Sequence, residues 1–196
     1  YSKSGDRTGY YFMVGDEARL DLGSPVFRTI AHILNNEYNM VSVLQAEEGL
    51  TAEKWGTTAG ANTAEDLIAQ IPGSGEGCIV DVSLMLNDKN KTAEEISAYI
   101  LAGIEKIKAA KPKTVFVYTS PVPTLSDTTN TAIKEVTEKL SAEDILVIDT
   151  YSKVFKEYYT QFYKDSVLPN KQGYIHVADY ILSKYLGKEF EIIATT

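Results

Sequence analysis

FMVGDEARL, residues 12–20, is the stretch on which the fold turns. An apolar run stops at Gly15 and delivers Asp16 and Glu17 just beyond it, as a short buried strand does when it leaves a sheet. The first strand is read as YYFMVG (10–15). Working outward, the same signature recurs in MVSVL (40–44), CIVDVSLML (78–86), TVFVYTS (114–120) and ILVID (145–149). These runs are apolar almost throughout, as expected of parallel strands covered on both faces.

Between them the period changes to that of helices. SPVFRTIAHILNN (24–36) has Pro25 in its first turn, NTAEDLIAQI spans 62–71, and TAEEISAYILAGIEKIKAAK (92–111) opens with a Thr92-x-x-Glu95 capping box. Ile96, Ile100, Ile104 and Ile107 lie on one face of that third helix and form its core stripe. Further helices are expected at 127–140, 151–163 and 171–186. Strand and helix thus alternate in βαβ order, and right-handed crossovers place helices on both faces of the sheet. The expected fold is a three-layer α/β/α sandwich with a five-stranded parallel sheet, flavodoxin-like in type.

The 196 residues are read as a single domain, 1–196, long enough to bury its own core. With 44% hydrophobic and 23% charged residues, and no apolar run near the roughly 18 residues that a span requires, no transmembrane helix is expected. Acidic residues outnumber basic ones by 27 to 19, for a formal charge of −8, and the basic side chains are not concentrated. A polyanion would be repelled, so neither nucleic acid nor an anionic membrane surface is an expected partner. Cys78, the one cysteine, sits in an apolar run and is read as a small buried hydrophobe. It leaves the compartment undecided. The chain starts at Tyr1, without Met or signal peptide, as a trimmed or mature fragment would.

In sheets of this kind ligands bind beyond the carboxyl ends of the strands. That rule selects five loops: Gly15-Asp16-Glu17, Glu47-Glu48-Gly49, Asn87-Asp88, Ser120-Pro121, and DSVLPNKQGY (165–174). All are expected to meet at one edge.

In these loops the chain resembles the SGNH/GDSL hydrolases, a family of esterases, lipases and carbohydrate deacetylases, and the resemblance runs along nearly its whole length. The family's Gly-Asp-Ser corresponds to Gly15-Asp16-Glu17. Its second-block glycine resembles Gly49, with Glu47 as the other candidate. Its Gly-x-Asn-Asp corresponds to Met85-Leu86-Asn87-Asp88, with the glycine lost. TSPVP followed by TNTAIKEVTEKL resembles a Pro-bearing loop and the Asn-led helix after it. The closing Asp-x-x-His-Pro-Asn-x-x-Gly-Tyr is matched at Asp165, Pro169, Asn170, Gly173 and Tyr174, with Leu168 at the histidine position.

The resemblance implies an acyl-transfer site in which a serine attacks, a histidine takes its proton and an aspartate orients the imidazole. Donors at the nucleophile's N–H, Gly49 and Asn87 would hold the oxyanion. In this chain Glu17 stands for the nucleophile and Leu168 for the base, while Asp165 keeps the aspartate. Leucine accepts no proton, and a carboxylate repels the oxyanion. The resemblance therefore implies a degenerate member whose cleft binds a small molecule, a carbohydrate or an acylated glycan, with no cofactor. Its bacterial relatives imply an exported or cell-surface setting.

Other residues with suitable chemistry lie elsewhere in the chain. His176 falls in the last helix, whose buried face is read as Ile175, Ala178, Ile181 and Leu182, and His32 falls in the first crossover helix; both are read as solvated. Ser120, followed by Pro-Val-Pro, is read as shaping a turn. An active esterase using residues of another arrangement is the second reading. Asp16, Glu17, Asp88 and Asp165 could instead gather round a hard cation, or Glu17 and Asp165 could act as a glycosidase pair. Against both, Asp16 and Asp88 resemble family positions that brace neighbouring loops. The aromatic segment YSKVFKEYYTQFYKD (151–165) and Trp55 could stack on sugar rings. Helical spacing of Phe155, Tyr158 or Tyr159, and Phe162 favours packing.

Overall fold

A computed structural model describes residues 9–22, 26–121, 124, 126–143, 145–150 and 170–186. Five parallel strands form one sheet: β1 (Gly9–Asp16), β2 (Met40–Glu47), β3 (Cys78–Ser83), β4 (Val115–Thr119) and β5 (Leu146–Ile148), in the order β2-β1-β3-β4-β5. This is the expected doubly wound sheet. The helices are α1 (Val26–Tyr38), α2 (Ala52–Thr57), α3 (Ala64–Gln70), α4 (Ala93–Ala110), α5 (Asp127–Ser141) and α6 (Lys171–Leu186). The helix expected at 151–163 lies outside the described residues, as do Phe155, Tyr158, Tyr159 and Phe162.

Alternation along the strands divides the core in two. Phe12, Val14, Val80, Val82 and Tyr118 face the layer built by α2 to α5, where Ile96, Ile100, Ile104 and Ile107 form the expected stripe. Tyr11, Met13, Val117 and Ile148 face α1 and α6. The Thr92–Glu95 capping box is present in both directions, so two otherwise unpaired N–H groups at the start of α4 are satisfied. Cys78 is free and buried, and burial pushes its thiol pKa up.

Two expectations are corrected. The third strand was expected to reach residue 86 but ends at Ser83, because the chain turns out of the sheet: Tyr118 Oη donates to the Leu84 carbonyl (3.1 Å) and the Met85 carbonyl accepts from Asp88 N. Ile175 is 37% exposed, and Val177 and Tyr180 join the buried face of α6 instead. At about 100° per residue, Ile175 lies about 120° round the helix from buried Ile181. At Trp55 the packing reading holds over stacking on sugar rings. It lies in α2, is wholly buried, donates from Nε1 to Gln45 Oε1 (2.9 Å) and packs on Gly103. No helix among the described residues is long and apolar enough to cross a membrane.

Candidate functional site

The register brings the strand exits together: Asp16 is level with Glu47 across the β1–β2 pair, and Gly15 with Ser83 across β1–β3. After Glu17 the chain doubles back in a single π-helical turn, Ala18–Leu22. Gly15 permits this, because a Cβ there would stand 2.5 Å from Leu20 Cδ1 and 2.8 Å from the Ser83 carbonyl oxygen. Glu17 is therefore presented at the sheet edge, half-buried. Among the described residues its carboxylate has no hydrogen bond or ion pair.

Asp16 is tied down from three sides. Its Oδ1 accepts from Ala18 N (3.0 Å) and Gly49 N (3.4 Å), and its Oδ2 accepts from Asn87 Nδ2 (2.7 Å). The second Asn87 hydrogen goes to the Leu50 carbonyl (3.1 Å). Both Nδ2 hydrogens of Asn87 are thus committed within the protein. Gly49, with φ of 77°, adopts the left-handed conformation that glycine takes without strain. The competing candidate Glu47 turns away, pairing with Lys54 and accepting from Asn62 Nδ2 (3.0 Å); the Lys54 hydrogen bond is the main reason its pKa is lowered.

Asp88 braces another loop. Its two oxygens accept from Ala52 N (2.8 Å) and Glu53 N (3.1 Å) at the start of α2, while Thr51 caps the same end by accepting from Lys54 N. Burial raises the Asp88 pKa, and the two N–H groups oppose that shift. With its oxygens so engaged, Asp88 does not gather with Asp16 round a common point. Among the described residues no group of histidine, cysteine and acidic side chains is placed to hold a metal ion.

Asp165, Leu168 and Pro169 lie outside the described residues. Asn170 is described, and its Oδ1 accepts from Gly173 N (3.1 Å) at the start of α6. His32 bonds Asn36 on the exposed side of α1. Among the described residues no hydrogen bond joins either histidine to Glu17 or Ser120. Ser120 is buried, with its hydroxyl 3.2 Å from that of Thr150.

Ser83 was hidden from sequence reasoning inside the long apolar run. Because β3 stops there, its side chain stands at the true exit of the central strand. Two small cavities meet beside it, sharing Ser83, Arg19 and Pro121 as walls.

No family model matches the chain, and no curated protein matches its sequence. Solved structures do match its fold. A structure named as an SGNH hydrolase from Slackia heliotrinireducens superimposes with a TM-score of 0.70 at 15% identity, over 92% of this chain and 100% of that one. A carbohydrate esterase family 3 structure from Talaromyces cellulolyticus gives 0.66 at 16% identity, over 91% and 97%. The Bacillus subtilis protein YxiM gives 0.66 at 15% identity, over 93% of this chain; the chain spans only 57% of that longer protein. At such identities the likeness is one of fold, and the fold is that of the SGNH/GDSL hydrolases.

Proposed function

We propose that this chain is a ligand-binding protein on an SGNH/GDSL hydrolase fold that no longer hydrolyses esters. The observation that carries the reading is the internal use of the oxyanion donors: Gly49 N and Asn87 Nδ2, which the family resemblance assigns to the oxyanion, both donate to the Asp16 carboxylate. Beside them stands Glu17, whose negative charge opposes the charge that acyl transfer creates. Leu168 in the histidine position removes the base at any pH. Loss of a nucleophile or base costs such a triad most of its rate, and the remaining groups do not replace it. A carbohydrate or acylated glycan is the proposed ligand class, supported by the carbohydrate esterase among the fold neighbours.

The test is hydrolysis of an aryl acetate by the purified protein and by Glu17→Ala. No turnover above buffer is expected from either. Turnover that Glu17→Ala abolishes would establish the second reading, an esterase using another residue set. Because Gly49 N and Asn87 Nδ2 stay committed to Asp16, Glu17→Ser with Leu168→His alone is expected to create at most a trace of esterase activity, and full activity would overturn that account of the donors.

A further inference from the structure

We propose that Glu17 and Ser83 are the binding point for a sugar that carries a free amine, with its ammonium on the Glu17 carboxylate and the neighbouring hydroxyl on Ser83. The proposal rests on, and narrows, the reading of the chain as a non-hydrolytic carbohydrate binder. It starts from the carboxylates at this edge of the sheet. Asp16 accepts from the N–H groups of Ala18, Gly49 and Asn87, and Asp88 from those of Ala52 and Glu53. Asp21 is paired with Arg28, Glu47 with Lys54 and Glu53 with Lys91. Arg19 and Asp149 are each engaged with another group, and Glu48 is exposed to water. Among the described residues at this edge, Glu17 is the half-buried carboxylate whose charge nothing in the protein meets.

A half-buried carboxylate has given up part of its hydration, and a cation brought by a ligand restores what the protein withholds. A metal ion does not suit the place: Ca²⁺ takes about six to eight oxygens, and no group of histidine, cysteine and acidic side chains among the described residues is placed to supply them. A primary ammonium needs no such cage. It is a compact charge with three N–H donors, which one carboxylate and a neutral oxygen or two satisfy. The Ser83 hydroxyl is that neutral oxygen. It has no hydrogen-bond partner among the described residues, and it leaves the neighbouring strand level with Gly15. Adjacent strands lie about 4.7–4.9 Å apart, so the two side chains suit polar groups on neighbouring carbons of one ligand. An amino sugar carries that pair, an amine beside a hydroxyl, whereas a lysine side chain has no hydroxyl next to its ammonium. The cavities beside Ser83, about 40 and 10 Å³, hold about three waters and one. Neither admits a sugar ring, so the ring stays above the edge and presents its amine and hydroxyl downward. The formal charge of −8 draws a cation toward the surface.

Calorimetric titration of the whole protein with glucosamine hydrochloride tests this, at about pH 6.5, below the usual range of an α-amino group. N-acetylglucosamine, glucose, ethylamine and Nα-acetyl-lysinamide are titrated alongside, with sodium chloride as the blank. Glucosamine is expected to bind in the millimolar range, as suits so few contacts, and to raise the melting temperature. N-acetylglucosamine and glucose are expected to bind at least about tenfold more weakly, since they lack the charge-assisted contact. Glu17→Gln should weaken glucosamine at least about tenfold and erase its advantage over N-acetylglucosamine. Ser83→Ala should bring glucosamine down to the level of ethylamine. The melting temperature of each variant without ligand separates lost binding from lost folding, and the comparison of ligands on the unaltered protein needs no variant. Equal binding of N-acetylglucosamine, binding indifferent to Glu17→Gln, tighter binding of Nα-acetyl-lysinamide, or no heat from glucosamine overturns the proposal. Release of acetate from N-acetylglucosamine or from an aryl acetate would overturn the non-hydrolytic reading, whereas absent binding without such release overturns the amino-sugar site alone.

Discussion

The side-chain amide of Asn87 lies 2.7 Å from a carboxylate oxygen of Asp16, 71 positions earlier in the chain. That bond joins the exits of β1 and β3, and Gly49 N adds the exit of β2 to the same carboxylate. Removing the acceptor leaves several N–H donors short of a partner. Asp16→Ala and Asn87→Ala are each expected to lower stability by about 1–3 kcal/mol in urea unfolding. The double variant should lose less than the sum by about 0.5–3 kcal/mol, because both changes break one shared bond. Strict additivity would show that the contact contributes nothing.

Met85 sits where the family pattern has glycine, and its φ of 156° lies in the range that glycine tolerates and other residues avoid. The side chain is nonetheless buried, at 5% exposure. Both Met85→Ala and Met85→Gly should therefore lose about 2–5 kcal/mol of packing. Glycine normally costs about 0.5–1 kcal/mol more than alanine within regular structure. Here the order should vanish or reverse, with Met85→Gly at least as stable as Met85→Ala. Chemical denaturation of the pair decides it, and an alanine variant more stable by the usual margin would rule out backbone strain at this position.

Trp55 and Gly103 are pressed together between α2 and α4. A Cβ on Gly103 would stand 2.3 Å from the indole ring, against a side chain held by its bond to Gln45. Gly103→Ala should therefore destabilise by about 1–3 kcal/mol through overpacking, despite alanine's better helix propensity. Trp55 is the single tryptophan, so its fluorescence reports the change directly. A red-shifted emission is expected if the ring is pushed from its site.

The pairing of Glu47 with Lys54, assisted by Asn62, lowers the Glu47 pKa below its ordinary 4.5. A carboxyl whose folded pKa is depressed adds stability above its unfolded value, and that stability is lost as pH falls through the folded value. Glu47→Gln should therefore melt slightly below the parent at pH 7, and the gap should close as the pH drops below about 4. The pair is partly solvent-exposed, so high salt should narrow the gap as well. A difference that persists at low pH would assign the effect to packing instead.

The strands, the long helices and the α4 stripe were legible because each is a local matter of period and capping: Thr92, Glu95 and the four isoleucines announce α4 without reference to anything distant. The corner at Gly15-Asp16-Glu17 was legible for the same reason, as an apolar run that ends in glycine and acid. Gly49 and Glu47, in contrast, could not be told apart in the sequence. Glu47 ends β2 and Gly49 stands two positions beyond it, and only the approach of Asp16 and Lys54 from other parts of the chain separates them. The helix that carries Trp55 was not legible, because the loop-like neighbourhood TAEKWGTT hides a six-residue helix, too short to show a periodic face.

By itself, then, the sequence determined the order of strands and helices, the parallel sheet, and an acidic residue where a hydroxyl would be expected. Those follow from side-chain period and residue chemistry, which neighbours in the chain settle between themselves. Tertiary structure alone decided that β3 ends at Ser83, that the indole is core, and that Gly49 and Asn87 direct their hydrogens to Asp16. Each depends on which distant group reaches a donor or acceptor first, because a buried polar group must find a partner wherever the fold supplies one.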